Sequence, residues 1–387
     1  MLLYELIQAL LISILLIIGF WWVKSLKQRV QYEKSVLYLK PKNYKGDLPY
    51  LSVIIPARNE EKHIRNLLLS LKNQDLKEFE VIIVDDDSQD NTLKIAKEFE
   101  EVKLISLKEL KDKWVGKNWA CYKGAKIARG EWLLFTDADS KFTKDALREA
   151  LSFCINNDLE LLSLAPHINC VGFWSKVTTP LYKGLMNLLL PMVKVNDPRS
   201  KTVYLFGSFI MVKASSYWKI GGHEAVKDEM VEDRALGTLA KKEGIKIMLV
   251  KGDSFFSSNW VEGFRELWQA LVRIFFQGVA RNRRGAMLFA IALFFIGVMP
   301  LLSLLLTFAF FSANLLTLIT MILSLINYLL PLGVLHFEIK DLKISKIYSL
   351  LHPLAFSLLI AALILSILKV KRGKVLWRGR YYPANFN

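Results

Sequence analysis

The sequence contains little cysteine, with three residues among 387, namely Cys121, Cys154 and Cys170. The number is odd and the spacing does not match a metal motif, which argues against a disulfide-stapled secreted scaffold and a zinc-finger-type site. Cysteines of this kind fit a reducing cytoplasm, where they serve as small core residues.

Two common nucleotide-binding motifs are also missing. No G-x-x-x-x-G-K-[ST] loop and no G-x-G-x-x-G turn follows any apolar run that reads as a strand. A Walker-type ATPase and a Rossmann oxidoreductase are therefore disfavoured.

Acidic residues are outnumbered, with 36 Asp and Glu against 52 Lys and Arg and a net charge of +16. In a soluble protein such a balance would suggest a nucleic-acid partner, but no DNA- or RNA-binding motif is present. Many of the basic residues flank long apolar segments, so we expect anionic lipid headgroups as the partner and no nucleic acid.

Four apolar segments are long enough to cross a hydrocarbon core of about 30 Å as helices. They are residues 2–23, 286–311, 314–336 and 347–370. The first segment lacks a basic region before it, and Trp21, Trp22, Lys24 and Lys27 follow its apolar part. This arrangement favours an uncleaved anchor over a signal peptide and places its exit on the cytoplasmic side.

The basic cluster at 281–284 belongs on the same side by that rule, so the region between the first two segments should face the cytoplasm of a multi-pass plasma-membrane protein. Three later crossings would export the basic tail, against the positive-inside tendency. Either the tail breaks the rule or one apolar segment enters and returns. The predicted boundaries are 1–24 (anchor), 45–253 (cytoplasmic domain), 254–284 (amphipathic interfacial segment), 285–370 (transmembrane region) and 371–387 (basic tail).

Short apolar strands alternate with amphipathic helices through the cytoplasmic window, which predicts an α/β domain with a mainly parallel sheet. Strands are expected at 51–55, 81–84, 102–107, 132–135 and 159–164. Helices are expected at 59–71, with Asn59 as its N-cap, and at 91–99, 119–128, 144–154 and 229–242.

Carboxylates follow several of these strands. Asp137 and Asp139 end the run "LLFTDAD", Asp86 follows the second strand, and Arg58 and Glu60 follow the first. Ligands bind at the carboxyl ends of strands in such sheets, and Mg²⁺ or Mn²⁺ takes one or two carboxylates plus substrate phosphates. A single D-x-D pair is also explained as a solvated turn or a helix cap. The repeated placement at strand ends predicts a site for a divalent cation and a diphosphate.

The ordered motifs resemble those of family 2 glycosyltransferases. They are "SVIIPARNEEKHI" (52–64), "VIIVDDDSQDNT" (81–92), "GKNWA" (116–120), "GEWLLFTDADS" (130–140), "GSFIMVKASSYWKIGGH" (207–223) and "VEDRALG" (231–237). The stretches "WVGKNWAC", "GGHEAVKDEMVED" and "LWRGRYYP" are similar to membrane-bound hopanoid-associated and carotenoid enzymes, relatives of ceramide glucosyltransferase. The resemblance implies a GT-A fold with a mainly parallel sheet, one N-terminal transmembrane helix and about three C-terminal ones.

The resemblance also implies roles for single residues. Pro56, Arg58 and Glu60 would border the nucleotide, Asp86 would bond the base, typically uracil, and Lys117 would lie near the diphosphate. Asp137 would face the ribose and the metal, Mn²⁺ or Mg²⁺, and Asp139 would ligate the metal.

On the acceptor side, Asp233 would be the general base, with Glu232 positioning the base or the acceptor. His223 is open between a metal or diphosphate contact and a structural role in a turn. The implied reaction moves a single sugar, with inversion, from a UDP-sugar to a hydroxyl of a membrane lipid.

One departure concerns the Q-x-x-R-W motif of processive synthases. Gln269 and Arg273 are spaced one residue too far apart and no tryptophan follows, which makes polymer growth doubtful.

The stretches 173–195 and 255–280 read as interfacial helices that would hold the site at headgroup level, with buried domain helices as the alternative. The segment 376–382 would close over the site, bind headgroups or simply anchor the tail.

Other functions remain open. A polyprenyl-phosphate sugar transferase needs no strong base, a polysaccharide synthase would extend a polymer, and a catalytically inactive membrane scaffold would keep only the fold.

Overall fold

The computed structural model describes residues 2–41, 44, 46–309, 314–371, 373–377 and 379–383. The helices are α1 (Leu2–Ser35), α2 (Ile64–Lys72), α3 (Thr92–Ala96), α4 (Gly116–Ile127), α5 (Ala146–Asn156), α6 (Gly172–Leu189), α7 (Met192–Asn196), α8 (Ala214–Lys219), α9 (Glu232–Lys242), α10 (Phe264–Arg281), α11 (Arg283–Gly297), α12 (Met299–Ala309), α13 (Leu315–Leu342) and α14 (His352–Lys371). Short 3₁₀ helices occupy Gly222–Glu224 and Lys346–Leu351.

The strands are β1 (Leu51–Ala57), β2 (Phe79–Asp86), β3 (Val102–Leu107), β4 (Trp132–Phe135), β5 (Ser140–Phe142), β6 (Leu161–Ala165), β7 (His167–Asn169), β8 (Ile210–Lys213), β9 (Ile247–Lys251), β10 (Phe256–Asn259), β11 (Lys374–Trp377) and β12 (Arg380–Pro383). The main sheet has the order β3-β2-β1-β4-β8-β6-β9. Strand β8 runs antiparallel to β4 and β6, and the other neighbours are parallel. The predicted α/β fold with a mainly parallel sheet is confirmed.

Apolar side chains point alternately to the two faces of the sheet, and both faces are buried. Val53 and Ile55 belong to one buried cluster, which includes residues of α2 and α5. Ile54 belongs to the cluster on the other face, with residues of α4 and α9. Successive strand residues point to opposite faces, so each apolar strand is covered twice. This burial explains why the strands read as continuous apolar runs.

The first predicted helix begins later than expected. Asn59 lies in the left-handed region with φ 55°, and its Oδ1 accepts a hydrogen bond from the backbone of Gln89 at 2.8 Å. It therefore ties two loops together, and α2 starts only at Ile64. The N-cap prediction for Asn59 was wrong because a side chain in a turn can serve another loop as readily as a helix.

Several apolar helices are long enough to cross a membrane. Within the described residues these are Glu5–Ser35, Leu315–Leu342 and Lys346–Val370, together with a pair, Arg283–Gly297 and Met299–Ala309, bent by 48°. If the bent pair counts as one segment, the C-terminal region contains the predicted number of apolar segments.

Helices α1 and α13 pack side by side in the same direction. Gln8 bonds Thr317 at 2.9 Å, Asn327 bonds the carbonyl of Leu15 at 3.0 Å, and Arg29 meets Glu338 at 2.7 Å. The pairs advance together along both helices. Polar contacts of this kind hold helices together where the surroundings are apolar.

Helix α13 ends beside the α/β domain. Asp341 pairs with Lys251 of β9 at 2.7 Å and with Lys183 of α6 at 2.6 Å. The two lysine ammonium groups compensate the negative charge of the Asp341 carboxylate. This ion cluster joins the sheet, α6 and the apolar helix α13.

Candidate active site

The strand ends bring the predicted donor residues to one edge of the sheet. Strand β1 pairs with β2 so that Ala57 lies opposite Asp85, and Ile54 of β1 lies opposite Phe135 of β4. The residues that follow these strands therefore meet at one rim. Pro56, Arg58, Glu60, Asp86, Lys117, Asp137 and Asp139 all line one cavity of about 1060 Å³.

Glu232 and Asp233 reach the same cavity from another element. Strand β8 is antiparallel, so the residues before it lie at the carboxyl end of β4, where Thr136 donates to the carbonyl of Ser208 at 2.8 Å. The backbone N–H of Gly207 then donates to Oδ2 of Asp233 at 3.2 Å. The start of α9 is thereby held at the rim.

Lys117 links the two groups of carboxylates. Its Nζ lies 2.7 Å from Asp137 and 2.7 Å from Glu232. Burial opposes its charge, but the two carboxylates outweigh burial and raise the pKa of Lys117 well above its usual range. A permanent cation therefore lies between the D-x-D motif and the start of α9.

Gly207 permits this close approach. A Cβ added there would lie 3.2 Å from Lys117 Nζ, 3.3 Å from Glu232 Oε1 and 3.4 Å from Asp233 Oδ2. These are tight contacts with three polar groups at once, so a side chain would push the cluster apart.

Asp233 is chemically unusual. Burial, and then the like charge of Glu232, raise the pKa of Asp233 to about 7. A carboxylate with a pKa near neutral pH can accept a proton in a transition state and release it again. The geometry therefore supports the predicted general base.

The acid–base prediction is a shift of the pH profile. Activity that needs ionised Asp233 should rise with a midpoint near pH 7, because the deprotonated form is populated above the pKa. Glu232→Gln removes the like charge, so the midpoint should move to lower pH. The measurement is kcat between about pH 5 and 9 for both proteins. A midpoint that does not move would contradict the assignment to Asp233.

On the donor side, Arg58 shapes the loop after β2. It donates to the backbone carbonyls of Asp86 and, at 3.1 Å, Asp87. Asp87 is held in the left-handed region with φ 57°. Glu60 is buried, and its backbone N–H donates to Thr92 at 2.7 Å. These contacts give the predicted nucleotide-binding loop a defined shape.

The predicted metal residues do not all converge. Among the residues that the structure describes, no group of at least three His, Cys, Asp or Glu side chains could hold a metal ion. Asp139 Oδ1 accepts a hydrogen bond from Ser258 at 3.2 Å, and Asp137 contacts Lys117. Two carboxylates facing one cavity fit a cation that takes its remaining oxygens from a diphosphate, as Mg²⁺ commonly does.

His223 is buried below the site. Its ring lies 4.6 Å from the ring of Phe135, and its Nδ1 pairs with the hydroxyl of Tyr217 at 3.0 Å. Burial lowers the pKa of His223 to about 3, so the imidazole is neutral. This placement favours the structural role over the metal or diphosphate contact, because the ring is fixed by its neighbours rather than by a free ligand position.

Sequence reasoning did not single out the residues on the far wall of the cavity. Tyr182 of α6 and Trp260 pack with ring centroids 4.8 Å apart, and both line the cavity. Burial and the nearby Asp233 raise the pKa of Tyr182 to about 12, so it stays a neutral hydroxyl. The pattern of aromatics in 173–195 and 255–280 was the only signal, and it could not distinguish the cavity wall from an interface.

The tail also contributes to the site. The guanidinium of Arg273 lies over the ring of Trp377 at 4.6 Å, and both residues line the cavity. A tryptophan thus lies against Arg273 in space, although the residue directly after Arg273 in the sequence is not a tryptophan. Arg380 of the same hairpin pairs with Asp86 at 2.5 Å. Of the alternatives for 376–382, closure over the site agrees with these contacts.

Comparisons with known proteins agree with this geometry. Residues 52–221 match the family described as Glycosyl transferase family 2. The chain is 26% identical to 4,4'-diaponeurosporenoate glycosyltransferase of Staphylococcus aureus strain USA300 over 358 residues, covering 90% of this chain and 92% of that protein. The same enzyme from the bovine strain RF122 / ET3-1 is 27% identical, with the same coverage.

One solved structure shares the fold. Mannosyltransferase PcManGT from Pyrobaculum calidifontis, in complex with GDP-Man and Mn²⁺, matches with a TM-score of 0.53 and 16% identity, covering 92% of this chain and 99% of that one. At that identity the likeness concerns the fold alone. With the family match and the carboxylate rim, it leads to one conclusion: residues 52–221 form a domain of glycosyl transferase family 2, with the GT-A-like fold.

Proposed function

We propose that this protein transfers a single sugar, with inversion, from a UDP-sugar to the hydroxyl of a membrane lipid, at the cytoplasmic face of the plasma membrane. The observation that carries the proposal is that one cavity is lined by two kinds of residue. Asp86, Asp137 and Asp139 from the strand ends line it, and so do Asp233 of α9 and the aromatic residues Tyr182 and Trp260. A donor and an acceptor can therefore meet between a diphosphate-binding rim and a base.

The donor would lie along the strand ends. Pro56, Arg58 and Glu60 would border the nucleotide, and Asp86 would accept a hydrogen bond from the base. Asp139 and Asp137 would hold Mn²⁺ or Mg²⁺, which neutralises charge on the departing diphosphate. Lys117 adds a fixed positive charge on the same side, which favours an anionic leaving group.

The acceptor would be activated from the other side. Asp233, with its pKa raised to about 7, would take the proton from the attacking hydroxyl while Gly207 orients its carboxylate. A single displacement opposite the leaving group inverts the anomeric carbon, so no covalent enzyme intermediate is needed. Glu232 would keep the pKa of Asp233 high and hold Lys117.

A lipid acceptor is supported by the position of the cavity and by one relative. The wall formed by α6 and α10 packs against α13 and α14, and Phe173, Leu189 and Phe264 on these helices are exposed. The Staphylococcus aureus relative is named for a carotenoid-derived carboxylate, which supports a lipid of this class as the acceptor. The proposal for this chain differs in taking a hydroxyl as the attacking group. A carotenoid-like or other polyisoprenoid lipid is therefore the acceptor class we propose.

The proposed topology explains the basic tail. Arg29 and Glu338 lie near the domain-side ends of α1 and α13, and Ser303 of α12 bonds Ser324 of α13 at 2.8 Å. On this arrangement α1, the bent pair and α13 each cross once. Residues 343–371 begin beside Asp341 and lead towards the hairpin that contacts Asp86, so they would enter the membrane and return to the same side. The tail then stays on the cytoplasmic side, as the positive-inside rule prefers.

The test uses membrane vesicles of known orientation with radiolabelled nucleotide sugars and total host lipid extract. We expect a labelled lipid carrying one sugar when the donor is added to inside-out vesicles and none with sealed right-side-out vesicles. A labelled polymer would favour a polysaccharide synthase. A labelled polyprenyl phosphate would favour a polyprenyl-phosphate sugar transferase. Absence of both donor binding and transfer would favour the inactive scaffold.

A further inference from the structure

The C-terminal hairpin is fixed against the donor side of the catalytic domain. Strands β11 and β12 pair antiparallel through Val375–Tyr382 and Trp377–Arg380. Val375 and Tyr382 are buried in a cluster that includes Val115 and Leu267. With Arg273 over Trp377, these contacts dock the hairpin between α10 and the start of α4. A hairpin of this length is marginal alone, so its shape depends on this docking.

The hairpin reaches a carboxylate that the sequence motifs connect with the donor. Asp86 is 4% exposed, and its Oδ2 accepts a hydrogen bond from Nη1 of Arg380 at 2.5 Å, across 294 residues of sequence. Its other oxygen, Oδ1, is buried and has no hydrogen-bond partner. A buried carboxylate oxygen without a donor is costly, so this oxygen is suited to an N–H group that arrives with a ligand.

The backbone around this pair is built for the contact. A Cβ added to Gly116 would lie 2.4 Å from Asp86 Oδ2 and 2.7 Å from Arg380 Nη1. The N–H of Gly116 donates instead to the hydroxyl of Tyr382 at 3.3 Å. Only glycine allows the start of α4, the hairpin and the carboxylate to meet.

We propose that Arg380 is a positioning residue for donor recognition, which holds one oxygen of Asp86 and thereby presents the other to the base of the nucleotide donor. The inference rests on the proposed function and adds the tail to its donor site. The arginine also compensates the buried negative charge, so Asp86 can stay an acceptor for an imide or amide N–H of the base. The base pocket is thus completed by the last described residues of the chain.

The same contact has an opposite interpretation, in which Arg380 blocks the base and must leave before the donor binds. The two interpretations predict opposite changes in donor affinity when Arg380 is removed. A positioning arginine improves donor affinity, whereas a blocking arginine weakens it. Donor affinity therefore separates them directly.

The experiment compares full-length wild type, Arg380→Ala, Arg380→Lys, Asp86→Ala and the double variant Arg380→Ala/Asp86→Ala. Tyr381→Ala is the matched control, because Tyr381 is 71% exposed on the same strand. UDP and nucleotide-sugar affinities are measured by calorimetry, and KM and kcat for donor by turnover. Arg380→Ala should raise Kd and KM about tenfold, the loss of one charge-assisted hydrogen bond, with kcat within about twofold.

The results for further variants distinguish a role of Arg380 in positioning Asp86 from a role in stabilising the hairpin. Arg380→Lys should recover part of the affinity, and Arg380→Ala should add nothing once Asp86 is alanine. Gly116→Ala provides a second route to the same pair and should also raise KM. Tyr381→Ala should bind donor as the wild type does.

The inference is overturned if Arg380→Ala binds donor more tightly, if its effect adds fully to that of Asp86→Ala, or if only kcat falls. Wild type that binds no nucleotide sugar would contradict the proposed function itself. Wild type that binds and transfers, with an unchanged Arg380→Ala variant, would reject the role of Arg380 alone.

Discussion

The Asp233→Asn variant should transfer sugar about a thousandfold more slowly than the wild type while keeping its donor affinity. An amide in place of the carboxylate cannot take the proton of an attacking hydroxyl, and general-base catalysis contributes about 10²–10⁴ in rate. Donor contacts should survive because the proposed donor residues Asp86 and Asp139 follow β2 and β4, whereas Asp233 belongs to α9. The measurement is kcat for labelled lipid, with donor Kd determined on the same preparation.

The matched control for that variant is Asp228→Asn. Asp228 is an exposed residue in the loop before α9 and is absent from the cavity wall, so its kcat should stay near the wild-type value. A rate for Asp233→Asn within about tenfold of wild type would argue for an acceptor that is already ionised, such as a polyprenyl phosphate. The base assignment would then be abandoned.

The Asp139→Asn variant should lose donor binding that depends on a divalent cation. Asp139 lines the cavity. If it is a ligand of the proposed metal site, which has few protein oxygens, its replacement should weaken metal-supported binding by about a hundredfold. The measurement is donor affinity as Mn²⁺ or Mg²⁺ is titrated, compared with a chelator-treated sample. Wild type should lose affinity with the chelator and regain it with the metal.

Asp158→Asn is the control for this second variant, because the Asp158 side chain is 88% exposed and is not among the residues that line the cavity. Its metal dependence should match the wild type. If Asp139→Asn keeps metal-dependent donor binding, the D-x-D motif is not the metal site. If chelation leaves wild-type transfer intact, the reaction uses no divalent cation, and Lys117 would remain as the charge facing the leaving group.

The core of the domain was predictable because its signals are local. Apolar strands followed by amphipathic helices imply a parallel sheet, and a parallel sheet brings its carboxyl ends together. Strand 132–135 and strand 102–107 lie where the pattern placed them. The same reasoning brought Asp86, Asp137 and Asp139 to one rim.

What could not be predicted depends on contacts between distant parts of the chain. Lys117 was expected near the diphosphate, and nothing in its neighbourhood indicated that it would bridge Asp137 and Glu232. The pairing of Arg380 with Asp86 spans almost the whole chain. Such pairs depend on how the apolar C-terminal helices dock on the domain, which composition does not encode.

His223 illustrates a different limit. A histidine after two glycines in a motif is compatible with ligand contact or with a turn, since both need a compact loop. The outcome depended on burial, because Tyr217 and Phe135 enclose the ring. Burial of a single polar side chain follows from tertiary packing rather than from its sequence neighbours.

A single calorimetric comparison tests the central claim, that the carboxylates of the strand ends bind the donor while Asp233 of α9 activates the acceptor in the same cavity. Wild type, Asp139→Asn and Asp233→Asn are titrated with the same UDP-sugar in the presence of Mn²⁺. The account predicts that Asp233→Asn binds as the wild type does and that Asp139→Asn binds only weakly. Equal loss of affinity in both variants, or loss in Asp233→Asn alone, would contradict it.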